Sequence, residues 1–103
     1  MSQPLPVDFT FTASGHVTEA AHWWLEHRSK APGALHEELQ QALQLVASHP
    51  EVGAAARNVK LAGVRRILLR RVGYHLYYRR LDSPACIQVV AFWHTSRGEP
   101  PRL

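Results

Sequence analysis

The sequence predicts an α+β fold in which an N-terminal strand and a helical hairpin pack on one face of a small antiparallel β-sheet. Three observations predict it. Two segments with helical apolar spacing lie side by side between residues 14 and 48, separated by Ala31-Pro32-Gly33. Two β-prone runs, Val64–Arg71 and Tyr74–Arg80, flank Val72-Gly73, and Gly supplies the positive φ of a tight hairpin turn. A third run, Ile87–His94, follows the turn signal Asp82-Ser83-Pro84 and is apolar on both faces, as a covered central strand is.

In chain order, residues 1–6 form a disordered or extended lead-in. Val7-Asp8-Phe9-Thr10-Phe11-Thr12 alternates apolar and polar residues and reads as the first strand. Ser14 or Thr18 caps the helix that follows. In that helix Val17, Ala20, Ala21, Trp24 and Arg28 share a stripe that Leu25 widens. Trp24 belongs to the core, whereas Trp23 lies off the stripe, as a rim contact or a partner-facing anchor. A second helix over 34–48 buries Leu35, Leu39, Ala42, Leu43 and Val46 and ends at His49-Pro50. The short break makes the two helices an antiparallel pair. Residues 50–63 read as a loop, and the tail from Gly98 is too proline-rich for a helix.

With Val72-Gly73 as a two-residue loop, Leu69 pairs with Leu76 and Ile67 with Tyr78 on an apolar face. The opposite face pairs Arg70 with His75, Leu68 with Tyr77 and Arg66 with Arg79. Like charges opposite one another repel, so Arg66 facing Arg79 points to a surface for an anionic partner, with Tyr77 exposed among arginines. The strand 87–94 adds His94 at its end and Arg97 three residues on. The charge is polarised in the same sense. From Arg57 onward ten Lys/Arg outnumber two acids, a net +8, whereas the preceding residues carry −4. Nucleic acid and acidic protein segments are both partners of that character.

At 103 residues the chain is one domain that buries about 60–68% of its unfolded surface without staples. No apolar run approaches the ~20 residues of a membrane span, and residues 1–6 lack the features of a signal peptide. The single cysteine, Cys86, cannot form an internal disulfide and reads as a buried small hydrophobe, consistent with a reducing cytoplasm. Seven histidines invite a metal, yet His16, His22, His27, His36 and His49 show no ligand spacing. No phosphate loop and no recognition helix are present, and no cofactor is expected.

Several segments together resemble the RelE/ParE superfamily of type II toxin–antitoxin toxins, closer to its ParE branch. They are the Trp23-Trp24 pair, the helix ending Leu39…Ala42-Leu43…His49-Pro50-Glu51-Val52-Gly53, then Val64–Leu69, Gly73–Tyr78 and His94-Thr95-Ser96-Arg97. The resemblance implies a small basic toxin, wrapped and neutralised by a cognate antitoxin in a hetero-oligomer. RelE-like members cut mRNA on the ribosome without metal; ParE-like members inhibit DNA gyrase. Carried over residue by residue, Arg66 matches a basic strand position of the ribonucleases and Arg97 their phosphate-binding arginine. Leu68 stands where a second basic residue is usual, His75 where both branches commonly have Arg, and the ribonucleases' terminal tyrosine is absent. Gyrase inhibition is therefore the expected activity, with ribosome-dependent RNA cleavage the alternative. In the alternative, His75 and His94 transfer protons and Arg97 binds phosphate. In either, Arg66, Arg70, Tyr77 and Arg79 meet the target, and Trp23 meets target or antitoxin.

Overall fold

The first turn of the chain's first helix shows how local chemistry sets the architecture. Thr10, in an extended conformation, accepts a hydrogen bond on Oγ1 from the amide of Ala13 at 3.0 Å, and so caps helix α1, Phe11–His27. The computed structural model describes residues 3–103, and strand β1 is confined to Val7–Phe9. The strand expected to reach Thr12 is therefore shorter. Ser14 and Thr18 lie inside the helix, where Thr18 Oγ1 donates back to Ser14 O. Phe11, whose place in the alternation suggested a strand, is 96% exposed. Leu25 too faces solvent, and the buried positions of α1 are Ala13, Ala20 and Trp24.

The helix stops at His27, and Trp24 Nε1 donates to Ala31 O at 2.7 Å, so one ring fills the core and fixes the connection. Helix α2, Ala34–Ser48, runs over the expected residues and buries Leu35, Leu39, Ala42 and Val46. Then come β2 (Ala54–Ala55), β3 (Arg65–Leu69), β4 (Tyr74–Asp82) and β5 (Ala85–His94). The sheet order is β1-β5-β4-β3-β2, with β1 parallel to β5 and the other neighbours antiparallel. The sheet is thus mixed and not wholly antiparallel. The long path through both helices returns β1 alongside β5, a connection that a parallel pair requires. Of the lead-in, Leu5 N donates to Ala47 O and Pro6 O accepts from Ile87 N, so it is extended and docked; residues 1 and 2 lie outside the described residues.

The β3–β4 turn occupies residues 70–73, closed by Gly73 N donating to Leu69 O at 2.8 Å with Gly73 at φ 76°. The register moves by two positions from the expected one. Ile67 faces Leu76, Arg66 faces Tyr77 and Leu68 faces His75. An even shift leaves every side chain on its face, so the apolar face still carries Ile67, Leu69, Leu76 and Tyr78 against the helices. The opposed arginines disappear. Arg79 faces Gln88 in β5 and donates to its Oε1 at 2.8 Å, and Arg70 lies in the turn, not opposite His75.

A bulge in the β4–β5 ladder at Tyr77/Tyr78 places both Val90 and Ala91 against Tyr77. These residues form a second, smaller core on the outer face with Val64, covered by Ala56, Val59, Leu61, Trp93 and Leu103. Tyr77, expected to be exposed, is 2% exposed. The loop before β3 and the C-terminal tail cover it, an arrangement that alternation along one strand does not reveal. Cys86 is buried, and no helix among the described residues is long and apolar enough to cross a membrane.

Candidate functional site

Two clefts meet at the C-terminal end of β5. The outer one, about 500 Å³, lies over the face opposite the helices. Strand alternation turns Arg66, His75, Tyr77 and Trp93 toward it, and the segments Ala54–Asn58 and Thr95–Pro100 wall it. Arg66 Nη1 donates to the Tyr77 hydroxyl at 3.3 Å, so Tyr77 contributes a buried ring and a polar edge. Burial holds His75 below its ordinary pKa, and the Arg66 guanidinium pushes it the same way. At neutral pH His75 is therefore an uncharged ring beside a fixed cation.

The inner cleft, about 360 Å³, lies between α1 and the end of β5 and is lined by His16, Glu19, Trp23, Tyr74, His94, Ser96 and Arg97. His16 Nδ1 accepts the Phe92 amide at 3.2 Å, beyond the part of β5 that β1 pairs. Burial lowers the pKa of His16, opposed by Glu19 and reinforced by Arg97. His94 Nδ1 accepts the Ser96 amide at 3.1 Å and lies 2.6 Å from Ser96 Oγ. An amide can only donate, so the ring proton of neutral His94 sits on Nε2.

Arg97 forms the ridge between the clefts. Its guanidinium stacks 4.0 Å over Trp93, and Nη2 lies 3.9 Å from the Glu19 carboxylate. Five of the sequence-derived residues, Arg66, His75, Tyr77, His94 and Arg97, thus border one cleft. Trp23 joins His94 and Arg97 on the other, half-exposed and stacked on His27 at 4.3 Å. Arg79 is held by Gln88, and Arg70 lies beside Leu45 and Leu68, away from both clefts. Arg57, Trp93 and Glu19 were not singled out from sequence. Arg57 and Glu19 sit on a loop and a helix that only tertiary structure brings to the strands. Trp93, by contrast, was legible as the outward residue next to His94.

His75 and His94 belong to opposite faces of the sheet. His75 is paired with Trp93 on the outer face. His94 is paired with Tyr74, its ring 4.9 Å from that of Tyr74 and 6.1 Å from that of Trp23. His94 therefore reaches the outer cleft only at its rim. Among the described residues no three His, Cys, Asp or Glu side chains are grouped as a metal-ligand set.

The model of the ParE toxin family of type II toxin–antitoxin systems (parDE) matches residues 7–98. The chain belongs to this toxin family. The match runs from β1 past Arg97 and so includes both helices, the whole sheet and the ridge between the clefts. Solved structures share the fold. A chain of the toxin–antitoxin complex RelBE2 from Mycobacterium tuberculosis superposes with a TM-score of 0.63 at 26% identity, over 89% of this chain and 99% of that one. A chain of the chromosomal ParDE system of P. aeruginosa gives 0.61 at 18% identity, over 92% and 100%. The isolated E. coli RelE toxin gives 0.59 at 23% identity, over 92% and 88%. No curated protein sequence matches significantly.

Proposed function

We propose that this ParE-family toxin arrests growth by binding DNA gyrase through its outer cleft, without cutting RNA, and that a cognate antitoxin neutralises it in a hetero-oligomer. The opposite facing of His75 and His94 carries the reading. Metal-free RNA cleavage needs a base at the 2′-oxygen and an acid at the leaving oxygen on one phosphate, and these two rings do not converge. Two further features support it. Arg97, the phosphate-binding candidate, is stacked over Trp93 with the Glu19 carboxylate 3.9 Å away, and Leu68 offers an apolar surface where a second cation would serve cleavage. An interface needs no converging proton-transfer pair; Arg66, Arg57 and Trp93 around a cleft suit one, because Arg and Trp dominate binding hot spots. A cytoplasmic site of action follows from that target.

A RelE-like endoribonuclease is the second reading, favoured by a neutral His75 beside Arg66 in a single cleft. The deciding experiment titrates free toxin into a gyrase supercoiling assay and, in parallel, into programmed ribosomes. Lost supercoiling with intact mRNA is the expected result. Site-specific mRNA cleavage with unaffected gyrase overturns the proposal and makes His75 a catalytic candidate.

A further inference from the structure

The inner cleft has binding chemistry that the gyrase reading does not use. Trp23 from α1 and Tyr74 and His94 from the sheet give it aromatic surface, and Phe92 backs Tyr74 at 4.6 Å with planes 3° apart. Tyr74 is 6% exposed, yet its hydroxyl bonds to no described residue and is not sealed from solvent, so it opens into the cleft. A carboxylate and a guanidinium, those of Glu19 and Arg97, stand side by side in the lining. Their closest approach, 3.9 Å, is too long for a hydrogen bond, and both side chains are about half or more exposed. Glu19 therefore keeps its acceptors and Arg97 its donors for a ligand, and parting the two costs little.

We propose that this cleft binds an unpaired guanine base. A charged ligand meets a like charge there, Glu19 for an anion and Arg97 for a cation. A neutral ring with donors on one edge and acceptors on the next meets neither. Among the nucleobases guanine alone has both as adjacent pairs, N1–H beside the 2-amino group and O6 beside N7. The Glu19 carboxylate accepts from N1–H and the amino group, and the Arg97 guanidinium donates to O6 and N7. The ring lies against the aromatic wall. Stacking of that kind holds any base, so the choice of guanine rests on Glu19 and Arg97. A volume of about 360 Å³ lies in the range of small-molecule sites. A free nucleoside and an unstacked nucleotide of a strand present the same base edge. Arg97 borders both clefts, so a strand in the outer one has a path to the inner one.

The test uses the free, full-length toxin labelled for amide NMR, titrated with guanosine, inosine and adenosine in turn. The Trp23 indole and the Ser96 and Arg97 amides report the inner cleft, whereas the Arg66 and His75 amides report the outer face. Guanosine should give saturating shifts at the inner reporters. Inosine, which lacks the 2-amino group, should bind about fivefold more weakly, and adenosine about tenfold or more. Glu19→Gln should lose about tenfold in guanosine affinity. Arg97→Lys keeps part of the affinity and Arg97→Ala loses it, with dispersed spectra confirming that each variant is folded. A dT-dG-dT trinucleotide that binds more tightly than guanosine, where dT-dT-dT does not, assigns the base to a strand; otherwise the ligand is the free nucleoside. Equal binding of guanosine and adenosine, unchanged guanosine affinity in Glu19→Gln, or no saturating shift at the inner reporters overturns the proposal. None of these readouts depends on gyrase, so the base site and the target assignment fail separately.

Discussion

Tyr77 and Tyr78 are neighbours in one strand and hold two different layers together. The Tyr78 hydroxyl donates to Pro50 O at 2.8 Å and accepts from Gly53 N at 2.9 Å, tying the loop after α2 to the sheet. Gly53 is required there by space. A Cβ would stand 2.7 Å from the Tyr78 oxygen and 2.9 Å from the Arg66 carbonyl. Tyr78→Phe leaves a buried amide unpaired and is expected to cost about 1–3 kcal/mol in urea denaturation. Gly53→Ala is expected to cost a similar amount, about 1–3 kcal/mol, by crowding. The double variant should cost less than the sum, because the phenyl ring removes the nearer clash; strict additivity would show that the two residues do not share this contact. His16 supports a pH prediction. Burial lowers the pKa values of His16 and His75 in the fold below the 6.5 of the unfolded chain. The unfolded state then binds more protons as acid is added, so the stability they contribute is complete above 6.5 and is lost as pH falls through the folded values. Urea midpoints should drop between about pH 7.5 and about pH 5.5, and His16→Gln should flatten that slope; an unchanged slope removes His16 as its source. The facing of the two tyrosines was legible from alternation along one strand. The cover over Tyr77 was not, because Leu61 and Leu103 reach it from other parts of the chain.

At the scale of elements, legibility follows how many local signals agree. Helix α2 has apolar spacing, a Gly before it and His49-Pro50 after it, and its bounds were readable from those alone. Helix α1 starts earlier than its sequence suggests because Phe11, although apolar and β-prone, needs no burial once Thr10 caps the first turn. Gly73 marked the β3–β4 turn, but where the turn begins depends on a residue far away in sequence. Glu38 on α2 accepts the amides of Arg71 and Val72 at 3.2 and 3.3 Å. Those two amides, free in a four-residue turn, find their acceptor on the helix, which suits the longer turn and the register that goes with it. Glu38→Ala should therefore cost about 1 kcal/mol and speed hydrogen exchange at Arg71 and Val72 while α2 amides stay protected. Unchanged exchange at those two positions would mean that the turn holds its shape without the helix.

For the whole molecule, the distinction that matters is between charge that is committed and charge that is available. Arg71 faces Glu37, Arg80 faces Glu51 and Asp82, and Arg97 faces Glu19. Arg65 Nη1 donates to Gly53 O, and Arg79 is held by Gln88. In the outer cleft, Arg57 and Arg66 make no ion pair with any described residue, and Arg66 gives only one long hydrogen bond, 3.3 Å, to the Tyr77 hydroxyl. The sequence showed that the second half of the chain is basic, but composition cannot show which cations are already spent on internal partners. Truncating an unpaired arginine removes target contact without exposing a carboxylate partner, so function and stability separate. Induced expression should then arrest growth about tenfold less effectively, at matched protein level, in Arg57→Ala/Arg66→Ala, a loss of about 1.4 kcal/mol in target binding. The urea midpoint of this double variant should stay near that of the parent. Arg70→Ala and Arg79→Ala, which lie away from the cleft, should arrest growth within about threefold of the parent. Growth arrest reads the cleft whatever the cellular target, so the comparison stands apart from the gyrase assay. Full arrest by the double cleft variant would move the target-binding surface elsewhere, and a loss confined to Arg70→Ala would place it beside Leu45 and Leu68.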